Sequence, residues 1–267
     1  MKYLFLILVF FIASCSHKPK TTSYFQDMKG CFLLFNLKTD KFEKIIGKEQ
    51  CQKRLPPFST FKIPLAVMAF DSGVLRDAQS SFKWDGKRGS REVLNRDHTA
   101  RSWMENSVVW YSQRITPLLG ERKIKKYLAA FNYGDQNLSQ GIHTAWLTPP
   151  YKEGGLNISA FEQVEFMERL WGETLSVSKR AMRITREITY LEESPLGFTL
   201  SGKTGSNFYN KENSFHLGWF IAHLKKDEHE YIAVTNLIDT EPRSKTDYGG
   251  PRAKAITKKI LAAEGLW

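Results

Sequence analysis

Apolar residues in this chain gather in short strand-like runs near both ends and recur at helical spacing between them. Residues 31–37, CFLLFNL, and 41–46, KFEKII, flank the polar turn Lys38-Thr39-Asp40 and predict two paired strands. From Gly197 onward GFTLSGKTG, FHLGWFIAHL and EYIAVTNLI also read as strands, with KKDEH as the hairpin loop between the last two. In 120–131, GERKIKKYLAAF, Ile124, Tyr127 and Leu128 mark one apolar helix face. In 159–171, SAFEQVEFMERLW, Ser159 and Glu162 form a capping-box signature, and Phe161, Val164, Phe166 and Leu170 point inward behind it. A closing helix is expected over 252–263, with Ala255, Ile256 and Ile260 on one face. Strands at both ends around a helical centre predict an α+β fold. Its single antiparallel sheet is assembled from N- and C-terminal strands and flanked by helices, with a helical subdomain. Polar loops marked by Gly and Pro interrupt the centre at 84–91, 95–102, 132–143 and 147–157, some of them long enough to carry function.

One run fits neither pattern. Residues 63–70 are apolar almost all round, which predicts a helix buried in a large core. At its mouth stand Ser59 and Lys62, three residues apart, which helical geometry brings onto one face. Pro64 cannot donate to the carbonyl of Thr60, so the first turn is expected to be tight or one hydrogen bond short. Apolar surroundings disfavour an ammonium group and pull the pKa of Lys62 below the ordinary ~10.4. The plainer alternative makes Ser59 an N-cap and lets Lys62 reach out to water. The tetrad alone does not decide between them.

A chain of 267 residues, 42% hydrophobic and 25% charged, has the composition of a globular protein and the length for one large domain or two closely packed subdomains. Its first residues carry one lysine, an apolar run over 3–13 and then small residues. That is a secretory signal, shorter than a membrane span of ~20 residues. Residues 1–15 are assigned as signal peptide, 16–24 as a polar tether and 25–267 as the folded domain. Ile12-Ala13-Ser14-Cys15 resembles a bacterial lipoprotein cleavage box. Either Cys15 becomes a lipidated membrane tether, or ordinary signal peptidase cuts nearby; both outcomes imply a periplasmic location. Export bears on Cys31 and Cys51, which flank the first strand pair: an oxidising compartment favours a bridge, with two buried thiols as the alternative. There is no C-x-x-C and no H-E-x-x-H, so no metal site is expected. A net charge of +11 raises the question of nucleic acid. The basic residues are scattered, however, without a glycine-rich phosphate loop or an RNA-binding aromatic motif, so no nucleic-acid partner is expected. The charge suits an anionic envelope or anionic small molecules. Nothing in the sequence selects an oligomeric state.

Two further stretches bear on Ser59: Ser107-Val108-Val109 in WMENSVVWYSQRI, and Lys203-Thr204-Gly205 in LSGKTGSNF. In the order S-x-x-K, S-x-V, K-T-G they resemble the serine penicillin-recognising enzymes. Together with Tyr133-Gly134-Asp135 and Trp146 they resemble the class D β-lactamases, the oxacillinases, over essentially the whole mature chain. The resemblance implies a β-lactamase/transpeptidase-like fold and hydrolysis of penicillins, small-molecule substrates, through an acyl group on Ser59. Class A relatives use a glutamate from an E-x-x-L-N loop as base, which is absent here, and Val109 stands where their second motif has asparagine. In class D enzymes carbon dioxide carboxylates the first-motif lysine. The resemblance thus implies no cofactor beyond carbon dioxide or bicarbonate, held on Lys62 as a carbamate that serves as general base. That chemistry requires the neutral amine expected from burial.

Val109 and Trp146 are expected around the carbamate, with the indole N–H steadying it. Trp146 as ordinary core is the alternative. Lys203, Thr204 and Gly205 of the third motif, with Arg252, are expected at the substrate, where the cations bind its carboxylate; Arg252 otherwise simply begins a surface helix. Ser107 would relay a proton to the departing nitrogen, and backbone N–H groups of Ser59 and Ser206 would hold the oxyanion. The sequence departs from the family at Asp135, where asparagine is usual, which leaves Tyr133 and Gly134 a loop-shaping role. Two rival readings share the acylation step: a β-lactam sensor domain that deacylates too slowly to be an enzyme, and a small penicillin-binding transpeptidase.

Overall fold

The computed structural model describes residues 24–267; the signal sequence, Cys15 and the tether up to residue 23 lie outside the described residues. Strands β1 (Met28–Asn36) and β2 (Lys41–Ile46) form the first hairpin, followed by helices α1 (Lys48–Gln52) and α2 (Lys62–Asp71). A two-residue ribbon, β3 (Ser81–Phe82) with β4 (His98–Thr99), precedes α3 (Ala100–Asn106), α4 (Val109–Leu119), α5 (Glu121–Phe131), α6 (Ala160–Trp171) and α7 (Lys179–Ile188). The chain closes with β5 (Tyr190–Glu193), β6 (Thr199–Asn210), β7 (Phe215–Lys226), β8 (His229–Asp239) and α8 (Gly249–Ala263).

The main sheet runs β2-β1-β8-β7-β6-β5, antiparallel throughout. The N-terminal hairpin is therefore built onto the C-terminal strands through β1 and β8, as the distribution of strand-like runs requires. Strand pleating sends alternate side chains to opposite faces. Cys31, Leu33 and Phe35 of β1, with Leu217, Trp219 and Ile221 of β7, enter the larger core under α2 and α6. Phe32, Leu34, Phe220, Ala222 and Leu224 enter a second core that α8 covers. With both faces buried, the central strands read as continuous apolar runs, the pattern by which the sequence betrays them.

Ser159 Oγ accepts from the Glu162 N–H while Glu162 Oε2 accepts from the Ser159 N–H at 2.8 Å, completing the capping box at the start of α6. Val164, Phe166 and Leu170 are buried there, and Phe161 is half-buried. Two local readings need correction. Ala255 is exposed: the buried stripe of α8 is Ala253, Ile256, Thr257, Ile260 and Leu261, the i, i+3, i+4, i+7, i+8 face of a helix that starts earlier than the sequence suggested. Residues 95–102 are not all loop, because Thr99 caps α3 through a reciprocal pair with Ser102. Cys31 and Cys51 form a disulfide between β1 and α1, with Cα atoms 5.0 Å apart.

Candidate active site

Residues 58–61 fold as a 3-10 turn and α2 begins at Lys62, the tight entry that Pro64 calls for. The turn places Lys62 Nζ 3.1 Å from Ser59 Oγ. Lys62 is fully buried, and that burial, reinforced by the positive charges of Lys203 and Arg91, holds its pKa well below the ordinary lysine value. A neutral amine against a hydroxyl can accept its proton, which turns the serine oxygen into a nucleophile.

Two positions at the motifs have unusual backbone conformations. Phe58, just before Ser59, has φ of 48°, and Ser107 has φ of 58°, both in the left-handed region that side chains other than Gly rarely adopt. A set of hydrogen bonds holds the Phe58–Phe61 turn. Trp219 Nε1 donates to the Pro56 carbonyl at 2.9 Å, Thr60 Oγ1 donates to the Pro57 carbonyl at 2.7 Å, and Gln163 Nε2 donates to Thr60 Oγ1 at 3.1 Å. Tyr133, fully buried, sets its ring edge-on to Phe61 and directs its hydroxyl at Gln163. Leu55, a few residues upstream, exchanges backbone hydrogen bonds with Ile158.

The strand that carries the third motif approaches closely. A Cβ on Gly205 would stand 2.7 Å from the Pro57 carbonyl oxygen and 3.2 Å from Thr60 Cγ2, so only glycine lets β6 lie against the serine turn. Lys203, on the same face of β6 by strand alternation, is buried; that burial, with the charges of Arg91 and Lys254, brings it down to about 7. Trp146, in a 3-10 turn over Ala145–Leu147, stacks on Phe61 with its ring centroid 5.1 Å from Lys62 Nζ. Its Nε1–H is buried and has no hydrogen-bond acceptor among the described residues.

These features have counterparts in known proteins. Residues 30–262 match the penicillin binding protein transpeptidase domain. The chain is 35% identical to "Beta-lactamase OXA-1" of Escherichia coli, over 94% of this chain and 91% of that one. The chain belongs to the class D β-lactamases. The structure of "Class D beta-lactamase BAT-2" matches this β-lactamase with a TM-score of 0.80 at 33% identity, covering 93% of this chain and 96% of the other. The "C-terminal domain of the Bacillus licheniformis BlaR penicillin-receptor" matches with a TM-score of 0.83 at 27% identity, over 93% and 96% of the two chains.

Within this β-lactamase the sequence-picked residues do not all converge. Arg252 is the clearest departure. Its guanidinium donates twice to Asp239 on β8, at 2.7 and 2.8 Å, and also pairs with Asp247 at 3.2 Å. In the sheet order β7 separates β8 from the K-T-G strand β6, and the guanidinium of Arg252 is committed to carboxylates of the fold. Thr204 and Ser206 alternate to the face that meets the start of α8, where Ser206 Oγ accepts from the Gly250 N–H at 2.7 Å. In the second motif Val108 is fully buried and Val109 only half-buried.

Asp135 is explained by its partners. It accepts from the N–H groups of Asn137 and Asn157 and from Asn157 Nδ2, at 2.9 to 3.1 Å, and so closes its own loop. Gly134 beside it has φ of 57°, and a Cβ there would meet the Asn157 carbonyl oxygen at 2.1 Å. Sequence reading passed over Thr60, Gln163 and Phe58. Only the buried position of Gln163 on an otherwise apolar helix face could have drawn attention to it.

Proposed function

We propose that this enzyme hydrolyses the lactam amide of oxacillin-type penicillins through an acyl intermediate on Ser59, with carboxylated Lys62 as general base, and so confers β-lactam resistance. The observation that carries the reading is a fully buried Lys62 beside a buried Trp146 N–H that has no acceptor. An unsatisfied buried donor costs about 1–3 kcal/mol, and an anionic acceptor carried by Lys62 would satisfy it. Only a neutral amine adds to carbon dioxide: the N–C bond forms and the displaced proton leaves to solvent. When present, the carbamate supplies a carboxylate-like base for proton transfer at Ser59. The other roles fall to Ser107, as proton relay to the departing nitrogen, and to Lys203 of the third motif, as a cation for the substrate carboxylate. Backbone N–H groups of Ser59 and Ser206 would receive the oxyanion. On this reading the mature domain acts in the periplasm, free or anchored through Cys15, and the Cys31–Cys51 disulfide supports an oxidising compartment.

A second reading draws support from the likeness to the penicillin-receptor domain at a TM-score of 0.83. On that reading the protein is acylated by β-lactams and stays acylated. Turnover separates the two. The test is steady-state hydrolysis of a simple penicillin by the purified mature domain in carbonate-depleted buffer, without and with added bicarbonate, alongside intact mass. Activity is expected to fall about 10²-fold or more on depletion, the scale of a lost general base, and to return with bicarbonate. Ser59→Ala should take up no acyl group, and Lys62→Ala should either trap the adduct or fail to form it. A stoichiometric adduct in the parent, without turnover, would establish the receptor reading instead.

A further inference from the structure

The charged groups acting on the two buried lysines of the cleft are all cations. Lys62 is influenced by Lys203 and Arg91, and Lys203 by Arg91 and Lys254; no carboxylate figures among them. Lys254 already pairs with Glu192 at 2.6 Å. Arg91 makes no ion pair among the described residues. Its guanidinium is exposed and donates through Nη2 to the carbonyl of Asn106 at 2.6 Å, the residue immediately before Ser107. Most of its five N–H donors therefore remain free.

The segment that carries Arg91 is fixed to the second motif on both sides. Arg91 grips Asn106 ahead of Ser107, and the Leu94 carbonyl accepts from Trp110 Nε1 at 2.9 Å behind it. The segment is tied internally as well, through Gly89 N–H to Asn95 Oδ1 at 2.7 Å and Trp84 N–H to Asp97 Oδ1 at 3.0 Å. An unpaired guanidinium is thus held at the rim beside Ser107, while the arginine at the start of α8 is closed off by Asp239.

We propose that Arg91 is a specificity-determining residue of the cleft, receiving the carboxylate of the β-lactam in the place that Arg252 is not free to take. The proposal rests on the β-lactam reading above. A guanidinium offers a carboxylate two parallel hydrogen bonds and a permanent charge. Permanence matters here because Lys203, at about 7, is only partly charged at neutral pH.

The test compares acylation of the parent, Arg91→Gln and Arg91→Lys, read as the second-order rate of adduct formation by intact mass. Each is given a simple penicillin and its methyl ester, which lacks the charge. Arg91→Gln should slow acylation by the acid about tenfold, or about 1.4 kcal/mol, with the ester rate and the Tm unchanged. Arg91→Lys should recover part of the loss, and added NaCl should slow the parent more than the Gln variant. Equal loss for acid and ester would show that Arg91 only shapes the loop, and no loss for the acid would overturn the assignment outright. Because adduct formation is read, a protein that acylates without turnover still answers the question. A parent that forms no adduct at all refutes the β-lactam reading, and this proposal with it.

Discussion

At the level of single residues, Trp146 joins packing to chemistry. Its ring is held by Phe61, while its N–H is buried without an acceptor near the amine of Lys62. Trp146→Phe keeps much of the ring packing and deletes the donor. In carbonate-depleted buffer the variant should unfold close to the parent temperature, since no hydrogen bond is lost there. The bicarbonate needed for half-maximal activity should instead rise at least about tenfold, as removal of a hydrogen bond to a charged group, worth about 1.5–3 kcal/mol, requires. A bicarbonate titration run beside thermal unfolding distinguishes the outcomes; an unchanged titration would leave the orphaned N–H as nothing more than a packing defect.

Between elements, the decisive contact is the clamp from α8 to β8. Asp239 has a fully buried side chain, and Arg252 closes on it with two hydrogen bonds; Arg243 is the next cation, at 3.8 Å. Removing one partner of such a pair strands a buried charge. Arg252→Ala should therefore cost about 3 kcal/mol, a fall in Tm of roughly 6–12 °C for a domain of this size. The KM for a simple penicillin should move little in the protein that remains folded. Thermal unfolding and steady-state kinetics on the same preparation test this, and a raised KM at unchanged Tm would return Arg252 to the substrate site. The contact between β6 and the 3-10 turn at Phe58–Phe61 is of the opposite kind: there the absence of a side chain at Gly205 permits the approach that brings two motifs into one cleft.

For the whole molecule, burying lysines makes stability depend on pH with a definite sign. Lys203 sits at about 7 and Lys62 well below the ordinary value in the folded state, against ~10.4 in the unfolded chain. Between those limits the unfolded chain binds protons that the folded protein does not, so stability rises with pH, by up to ~1.4 kcal/mol per pH unit for each such group. It is lost again as pH falls through the folded pKa values. In carbonate-depleted buffer the Tm is expected to climb from pH 7 to about 9.5 on this account, and Lys203→Met should flatten part of the slope. A parent Tm that is level across the window would mean that both lysines remain charged inside the fold.

What the sequence determined by itself was whatever is written in local periods and short spacings. The apolar runs gave the strands and the sheet they assemble, Ser159 and Glu162 gave the start of α6, and the three-residue step from Ser59 to Lys62, with Pro64 behind it, gave a tight turn that brings hydroxyl and amine together. The order of the motifs gave the family. Only the tertiary structure decided the rest, because it depends on groups far apart along the chain and on competition for one partner. Gln163 supports the serine turn from 103 residues away. The guanidinium of Arg252 goes to Asp239, while Arg91, in a polar loop with no motif to mark it, ends beside Ser107. A spacing rule can say that two residues share a face; which charge captures which carboxylate is settled only when the elements pack.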